Sequence, residues 1–185
     1  AITRHIVDAM GGAISVRSEQ GKGSEFHVVL DLAKADGAGR KHLEKEPLAA
    51  GEEADTKRKL SGKRILLAED NEINWEVARE LLSGLEMELD WVENGRICKE
   101  KFETSPVGYY DAILMDVRMP VMDGYEATKA IRELKRADAD IPIIAMTADA
   151  FSEDIQKCLE CGMDDHLAKP IETRVVACKL IKYLN

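Results

Sequence analysis

Apolar residues between Lys63 and Asn185 fall into five short runs separated by amphipathic stretches. The stretches 71–84, 95–104, 123–135, 152–161 and 172–184 have helical character. Five strand–helix repeats in about 120 residues predict an α/β fold with a doubly wound, five-stranded parallel sheet. The apolar runs, mostly continuous as in strands that are buried on both faces, are RILLAE, ELDWVE, DAILMD, PIIAMT and DDHLAK.

The first of these helices carries a regular apolar spacing. Ile73, Val77, Leu81 and Leu85 recur at intervals of four and predict one core-facing stripe. Trp75 lies about 200° around the helix from Ile73, and Leu82 lies almost directly along the axis from Trp75. Trp75 and Leu82 therefore predict an exposed docking patch for a partner helix, with packing against the preceding segments as the alternative.

Two segments precede these repeats. Residues 1–33 predict a helix closed by Gly11-Gly12 and then a hairpin, because Ile14, Val16, Phe26 and Val28 alternate with polar residues. A helix and a hairpin are too small to build a core alone. Residues 34–62 are rich in Ala, Gly, Glu and Lys and predict a flexible linker, with a short charged helix as the alternative.

Polar side chains end four of the five predicted strands. In an open parallel sheet the carboxyl ends of the strands meet at one edge, where ligands bind. Each residue alone has a simpler explanation: a helix cap, a loop start or a solvated surface group. Their joint placement in one small α/β unit points instead to a shared site. The residues are Glu69, Asp70, Asp116, Thr147 and Lys169.

Three neighbouring carboxylates repel one another, so we expect a cation among them. An all-oxygen cluster with room for water suits Mg²⁺, which typically shares protein carboxylates with a phosphate. Lys169 offers a second positive charge for an anion, and Thr147 can donate a hydrogen bond to it. A nucleophile, a metal and a charge clamp are together what phosphoryl transfer requires.

Composition adds few constraints. The chain contains 26 Lys and Arg against 35 Asp and Glu, and the acidic excess in residues 63–185 argues against nucleic acid as a partner. No apolar run is long enough to cross a membrane, and no secretory signal is evident. Cys158 and Cys161 form one C-x-x-C pair, which predicts buried helix residues in a reducing compartment or, alternatively, a zinc or redox motif.

The four stretches ILLAEDNEIN, DAILMDVRMPVMDG, IIAMTADA and DDHLAKP resemble the signature motifs of response-regulator receiver domains, in order and with suitable spacing. The resemblance implies a flavodoxin-like fold with strand order 2-1-3-4-5 in residues 63–185. It also implies that Asp116 is the phosphoacceptor and that Thr147 and Lys169 contact the phosphoryl oxygens. Asp70 and Asp116 would bind Mg²⁺ directly, Glu69 through water, and Arg118 through its backbone carbonyl, and Mn²⁺ could substitute. The Lys169–Pro170 peptide bond would be cis.

Two positions concern switching and rival chemistry. The resemblance implies a switch at Thr147 and at the residue three before the lysine, which is His166 where the family often has Tyr or Phe. His166 is either a pH-dependent switch or a strand-end histidine without a special role. A haloacid-dehalogenase-type hydrolase would need an aspartate two residues after the nucleophile, where this chain has Arg118.

Residues 1–33 resemble the end of the ATP-binding domain of sensor histidine kinases, after the glycine-rich box. Together with the receiver this implies a hybrid histidine kinase, so we expect a cytoplasmic piece of a longer protein. Such a piece lacks the kinase site and supports only its own phosphorylation and dephosphorylation. ATP would be needed only by the intact parent kinase. The implied partners are the kinase dimerisation domain as donor and a histidine phosphotransfer domain as acceptor, with a dimer possible and no membrane contact. His5 is either a helix-surface residue or a phosphorylated histidine.

Overall fold

The computed structural model describes residues 7, 11–19, 21, 23–30, 50–148 and 152–184. The chain divides into two compact units, Ala1–Glu46 and Pro47–Asn185. The predictions for His5, for residues 34–49 of the linker and for the first helix, apart from Val7, fall outside the described residues.

The first unit contains the predicted hairpin. Strands β1 (Ala13–Glu19) and β2 (Gly23–Val29) pair antiparallel, with Ala13 opposite Val29. Gly21 in the turn and Gly23 at the start of β2 adopt positive φ angles of 83° and 104°, a backbone conformation that glycine tolerates without a steric penalty. The alternating pattern of this segment therefore predicted its strands correctly.

The second unit is built on a five-stranded parallel sheet with the order β4-β3-β5-β6-β7. Numbered within the sheet this is 2-1-3-4-5, so the predicted fold is confirmed. The order reverses between β3 and β5, which places their carboxyl ends side by side at the edge where ligands bind in such sheets. The elements are α1 (Ala50–Leu60), β3 (Arg64–Ala68), α2 (Glu72–Leu82), a 3-10 turn (Ser83–Leu85), β4 (Glu88–Val92), α3 (Gly95–Thr104), β5 (Ala112–Asp116), α4 (Gly124–Arg132), β6 (Ile143–Thr147), α5 (Ser152–Glu160), β7 (Asp165–Ala168) and α6 (Thr173–Leu184).

Two apolar clusters cover the two faces of the sheet. Side chains of β3 alternate between them, since Leu66 joins one cluster while Ile65 and Leu67 join the other. The first cluster takes residues from α3, α4 and α5, and the second from α1, α2 and α6. Strands β5 and β6 are buried along their whole length. They thus form a rigid base for the residues that follow them.

Helix α1 lies inside the segment predicted as a linker, and it corresponds to the alternative interpretation of a short charged helix. Its last residue, Leu60, is fully buried in the second cluster. The Lys57 ammonium forms an ion pair with Glu86 at 3.0 Å, and the Gly62 N–H donates to the Glu86 carbonyl at 2.9 Å. One buried leucine and these polar contacts hold the helix against the end of the 3-10 turn.

The predicted orientation of α2 is wrong. Ile73, Val77 and Leu81 are 70%, 52% and 40% exposed, while Ala78 and Leu82 face the core. A strict interval of four drifts by about 40° per step around a helix of 3.6 residues per turn, whereas alternating intervals of three and four stay on one face. The core-facing set of α2 follows the second pattern: Trp75, Ala78, Leu82 and then Leu85.

Candidate functional site

The loop after β3 carries two of the predicted acidic residues. Asn71 begins α2 as its N-cap, and its side-chain oxygen accepts hydrogen bonds from the N–H groups of Ile73 at 2.9 Å and Asn74 at 3.3 Å. This cap turns the chain immediately after the strand and satisfies two otherwise unpaired N–H groups of the helix. Glu69, which is buried, and Asp70, which is exposed, are thereby fixed at the edge of the sheet.

Asp116 ends β5 and is buried. The loop beyond it is closed when the Gly124 N–H donates to the Val117 carbonyl at 3.0 Å. Asp123 and Glu126 then form a capping box at the start of α4, each side chain accepting from the other's backbone N–H. The short loop after Asp116 therefore leads directly into a helix whose first N–H groups are capped.

The structure brings three predicted carboxylates together. Oxygen atoms of Glu69, Asp70 and Asp116 lie within 4.8 Å of one another. All three donors are oxygens, and two of them are buried, which matches the ligand preference of a hard divalent cation such as Mg²⁺. The residues present therefore fit a magnesium ion.

Lys169 extends into the same group from the residue after β7. Its ammonium nitrogen donates to Glu69 Oε2 at 2.5 Å and to Asp116 Oδ2 at 2.7 Å. Its backbone N–H donates to the Thr147 carbonyl at 2.8 Å, and the Lys169–Pro170 peptide bond is cis. One cation thus lies between two buried carboxylates that would otherwise repel each other.

The local electrostatics shift two ionisation equilibria. Burial raises the pKa of Asp116 above its ordinary value, although the Lys169 ammonium and the Arg118 N–H oppose that effect. Burial alone would lower the pKa of Lys169, but its hydrogen bonds to Asp116 and Glu69 outweigh this and raise it. Lys169 is therefore firmly protonated and provides a fixed positive charge at the site.

Thr147 and Arg118 line a cleft of about 270 Å³ next to this group. Thr147 is buried at the end of β6, and the Arg118 N–H donates to Asp116 Oδ1 at 3.2 Å. Tyr125 of α4 and Lys157 of α5 also line the cleft. These two residues were not predicted because they lie within helices, where no motif distinguishes them from other surface residues.

His166 lies in β7, three residues before Lys169, and its side chain is partly buried. Its backbone N–H donates to the Asp165 side chain at 2.8 Å, and its Nδ1 lies 3.7 Å from the same carboxylate. Lys179 and Lys182 of α6 pair with Asp165 as well. The role of His166 as a switch stays a prediction.

The predicted docking pair does not form an exposed patch. Leu82 is 1% exposed and belongs to the core, because it lies on the face of α2 that packs against the sheet. Trp75 is partly buried, and its ring stacks on Trp91 of β4 with centroids 5.8 Å apart and an interplanar angle of 5°. The exposed apolar residues of α2 are Ile73, Val77 and Leu81, which we call the α2 stripe.

Two further contacts at Glu69 were not predicted. The Asn74 side-chain amide donates to Glu69 Oε1 at 2.8 Å, and the Trp91 indole N–H donates to the Glu69 backbone carbonyl at 2.8 Å. The first could have been sought, since Asn74 lies one helical turn into α2. The second depends on the pairing of β3 with β4, which sequence periodicity does not specify.

Comparison with known proteins gives a consistent result. Residues 65–180 match the family model of the response regulator receiver domain. The aerobic respiration control sensor protein ArcB of Escherichia coli is 32% identical over 183 residues, covering 99% of this chain and 22% of the relative. Another curated relative is hybrid signal transduction histidine kinase B of Dictyostelium discoideum, which is 41% identical over 133 residues, covering 66% of this chain. The chain therefore spans only 22% of the length of ArcB and 7% of the length of the Dictyostelium kinase.

Solved structures are similar to the second unit. The receiver domain of sensor histidine kinase PA1611 from Pseudomonas aeruginosa, which has a magnesium ion in its active-site cleft, is 40% identical with a TM-score of 0.60. That match covers 67% of this chain and 98% of that one. The Saccharomyces cerevisiae Ssk1 receiver, solved with the histidine phosphotransfer protein Ypd1, gives 26% identity, a TM-score of 0.59 and coverages of 68% and 90%.

Proposed function

The chain belongs to the response regulator receiver domain family, and on that premise we propose that Asp116 accepts a phosphoryl group from a kinase phosphohistidine in a phosphorelay. The observation that carries this proposal is the position of Lys169. Its ammonium lies 2.7 Å from the Asp116 carboxylate and 2.5 Å from Glu69, in a group that also includes Asp70. A buried carboxylate beside a fixed cation is suited to in-line attack on a phosphorus atom.

Asp116 supplies the nucleophile. One carboxylate oxygen forms a bond to phosphorus while the bond from phosphorus to the histidine nitrogen breaks, and that nitrogen keeps the electron pair. No general base is needed, because the carboxylate is ionised near neutral pH. The Arg118 N–H on Oδ1 and the Lys169 ammonium on Oδ2 orient the carboxylate before the donor arrives.

Lys169 and Thr147 would interact with the transferred group. The ammonium already lies beside Asp116 and can balance negative charge on the phosphoryl oxygens without moving far. The Thr147 hydroxyl, in the adjacent cleft, can donate a hydrogen bond to another of these oxygens. We propose that this hydrogen bond draws Thr147 toward the phosphoryl group. Together with a movement of His166, it would switch the surface formed by β6 and β7 between two packings.

Asp70 and Asp116 would hold a magnesium ion directly, Glu69 through water, and Arg118 through its backbone carbonyl, with Mn²⁺ as a substitute. The close approach of three carboxylates supports this assignment, as does the ion in the PA1611 receiver. When bound, the ion neutralises charge on the phosphoryl oxygens.

Labelling with acetyl phosphate tests this proposal. The unmodified chain with Mg²⁺ should acquire one acid-stable but base-labile phosphate, detected by intact mass, whereas Asp116→Asn should acquire none. Asp140→Asn changes an exposed aspartate in the same way and should retain labelling. Equal labelling of Asp116→Asn and the unmodified chain would show that another residue is the acceptor.

We propose that the α2 stripe, rather than Trp75 and Leu82, is where the helices of a phosphodonor or phosphotransfer domain dock. Ile73, Val77 and Leu81 are exposed, apolar and aligned on one helix whose first residues follow Asp70. The Ssk1 receiver was solved in complex with a histidine phosphotransfer protein, which supports this class of partner. An apolar stripe beside a phosphorylation site fits the apolar seam between two packed helices.

Substitution on the stripe separates docking from chemistry. Val77→Asp should reduce phosphotransfer from a separate kinase core by about tenfold, since one lost apolar anchor is worth roughly 1–2 kcal/mol. It should leave acetyl phosphate labelling unchanged, as should Arg79→Asp, the exposed control two residues on, which should also retain phosphotransfer. If both variants transfer equally well, docking occurs elsewhere.

We further propose that residues 1–33 form the end of a kinase ATP-binding domain, that 34–62 connect it to the receiver at 63–185, and that the parent is a hybrid histidine kinase. The match to ArcB over nearly the whole chain supports this assignment. Within the part of the chain that the structure describes, no helix has the length and apolarity needed to cross a membrane. We propose a cytoplasmic location, with ATP required only by the parent kinase.

A further inference from the structure

Glu69 is held by hydrogen bonds at both its main chain and its side chain. Its backbone N–H donates to the Val92 carbonyl at 3.0 Å, and its backbone carbonyl accepts from the Trp91 indole N–H at 2.8 Å. Its side chain has one partner on each oxygen, Asn74 on Oε1 and Lys169 on Oε2. The main chain and the carboxylate of Glu69 are thus both fixed. Besides Lys169, the partners come from β4, which holds the main chain, and from α2, which holds the carboxylate.

The Asn74 contact sets the rotation of the carboxylate. Because its amide occupies Oε1 at 2.8 Å, the other oxygen is directed toward Lys169 and Asp116. Glutamate has one more rotatable bond than aspartate, so an unsupported side chain at this position would populate several rotamers. A donor on the outer oxygen removes that freedom.

The Trp91 contact sets the position of the main chain. Its indole lies against Trp75 in a near-parallel stack, with ring centroids 5.8 Å apart, which restricts rotation of the Trp91 ring. Its N–H is therefore held in line with the Glu69 carbonyl. Because Trp75 and Asn74 are adjacent residues of α2, one helical turn supports both the main chain and the side chain of Glu69.

We propose that Asn74 and Trp91 are positioning residues that orient Glu69 for the cation site, with Trp75 holding Trp91 in place. This inference rests on the proposed function, because it assumes that Glu69 serves a divalent cation. Neither Asn74 nor Trp91 would touch the phosphoryl group. Their effect passes through Glu69, as outer partners of metal ligands act elsewhere.

Calorimetric titration of the phosphate-free chain with MgCl₂ tests the proposal without any transfer reaction. Asn74→Ala and Trp91→Phe should each raise the dissociation constant for Mg²⁺ about tenfold, the lower end of the range for outer partners of metal ligands, because Glu69 would reach the ion through water. Trp91→Phe keeps an aromatic ring for Trp75 and deletes the N–H donor. Both variants should unfold at the same temperature as the unmodified chain without Mg²⁺, within a few degrees.

Glu80→Gln is the matched control, because residue 80 is exposed on the same helix about 9 Å along its axis from Asn74. Its exposed side chain lies more than one helical turn beyond Asn74, and salt at 0.15 M screens much of the effect of an exposed charge at a distance, so the dissociation constant of this variant for Mg²⁺ should not change.

A double-mutant cycle separates positioning from a general structural effect. In a Glu69→Ala background, the further change Asn74→Ala should leave the dissociation constant for Mg²⁺ unchanged, because the group it orients is already absent. An equal loss in both backgrounds, or no loss when Glu69 is intact, would overturn the inference. A failure of the unmodified chain to bind Mg²⁺ would instead overturn the proposed function.

Fluorescence gives an independent signature. The chain contains two tryptophans, so Trp75→Phe leaves Trp91 as the single indole. Its emission should change on addition of Mg²⁺, because its N–H donates to the backbone of a residue that serves the ion. The change should disappear in a Trp75→Phe, Glu69→Ala double variant, and its persistence there would show that Trp91 does not respond through Glu69.

Discussion

Gly124 lies so close to Asp116 that no side chain fits between them. A Cβ atom at Gly124 would lie 2.3 Å from the Asp116 backbone oxygen and 3.0 Å from the Val117 Cα. Both neighbours are main chain, which cannot rotate away. The first residue of α4 is thereby packed directly against the residue proposed to be phosphorylated.

Gly124→Ala should lower the free energy of unfolding by about 1–3 kcal/mol, the usual range for overpacking at a closed position. It should also slow acetyl phosphate labelling, because relief of the clash displaces Asp116. Urea denaturation and timed labelling measure the two effects. At Gly84 an added Cβ meets nothing within 4 Å, so Gly84→Ala is the matched control and should change neither.

Lys169→Met should separate two roles of the ammonium, one in stability and one in phosphoryl transfer. Removing it leaves the buried carboxylates of Glu69 and Asp116 unpaired, which should cost about 3–5 kcal/mol of stability in EDTA. Addition of Mg²⁺ should restore much of that loss, since the cation replaces the missing charge. Labelling from acetyl phosphate should still fall by about 100-fold or more, because the charge on the phosphoryl oxygens is no longer balanced.

Urea denaturation with EDTA and with Mg²⁺ provides the measurement. Lys135→Met, at an exposed position, should behave like the unmodified chain in both conditions. A variant at Lys169 that is equally unstable with and without Mg²⁺ would contradict a shared cation site.

The sheet and the polar cluster at its edge were predictable because burial on both faces leaves a clear apolar pattern in the sequence. Strands covered on both faces must be apolar throughout, so a carboxylate such as Asp116 directly after a buried run stands out. The geometry of parallel strands then brings strand ends together without further information. For the same reason, the grouping of Glu69, Asp70, Asp116 and Lys169 could be predicted without knowing how the helices pack.

The face of α2 was not predictable by the same logic. Its exposed residues Ile73, Val77 and Leu81 are as apolar as its buried ones, so hydrophobicity alone does not separate a core face from an exposed stripe. The interval pattern does separate them, because only alternating steps of three and four follow one side of a helix. The contact from Trp91 to Glu69 depends on the pairing of Ala68 with Val92, which is decided by tertiary structure.

Asp165 should make the stability of the second unit depend on acid. Burial opposes its ionisation, but Lys179, the His166 N–H and Lys182 outweigh it and lower the pKa of Asp165 to about 2. A depressed folded-state pKa stabilises the fold above the unfolded value near 3.8, and the benefit is lost as the pH falls through about 2. The contribution at pH 7 is about 2 kcal/mol.

Asp165→Asn should therefore unfold at lower urea concentration than the unmodified chain at pH 7, and the difference should shrink between pH 4 and pH 2. Denaturation curves at several pH values measure it. Asp140→Asn, at an exposed position, should show no such convergence. A gap between Asp165→Asn and the unmodified chain that stays constant down to pH 2 would mean that the carboxylate charge is not what stabilises α6 against β7.

Val121 has a strained backbone in the loop that follows Asp116. Its φ angle is 71°, and the Met122 N–H donates to the Pro120 carbonyl at 2.8 Å across it, as in a γ-turn. A β-branched residue is rare in this conformation, which typically costs about 1–3 kcal/mol. The side chain is 66% exposed, so it loses little packing if it is removed.

Val121→Gly should raise the free energy of unfolding by about 1 kcal/mol. Glycine adopts the positive φ without strain, and this gain exceeds the roughly 0.5–1 kcal/mol that glycine loses through the greater freedom of the unfolded chain. Val107→Gly isolates that second effect, because Val107 is 63% exposed and has no positive φ, and it should be destabilising. If Val121→Gly were as destabilising as Val107→Gly, the turn would hold no strain, and the loop beside Asp116 would be relaxed in the folded protein.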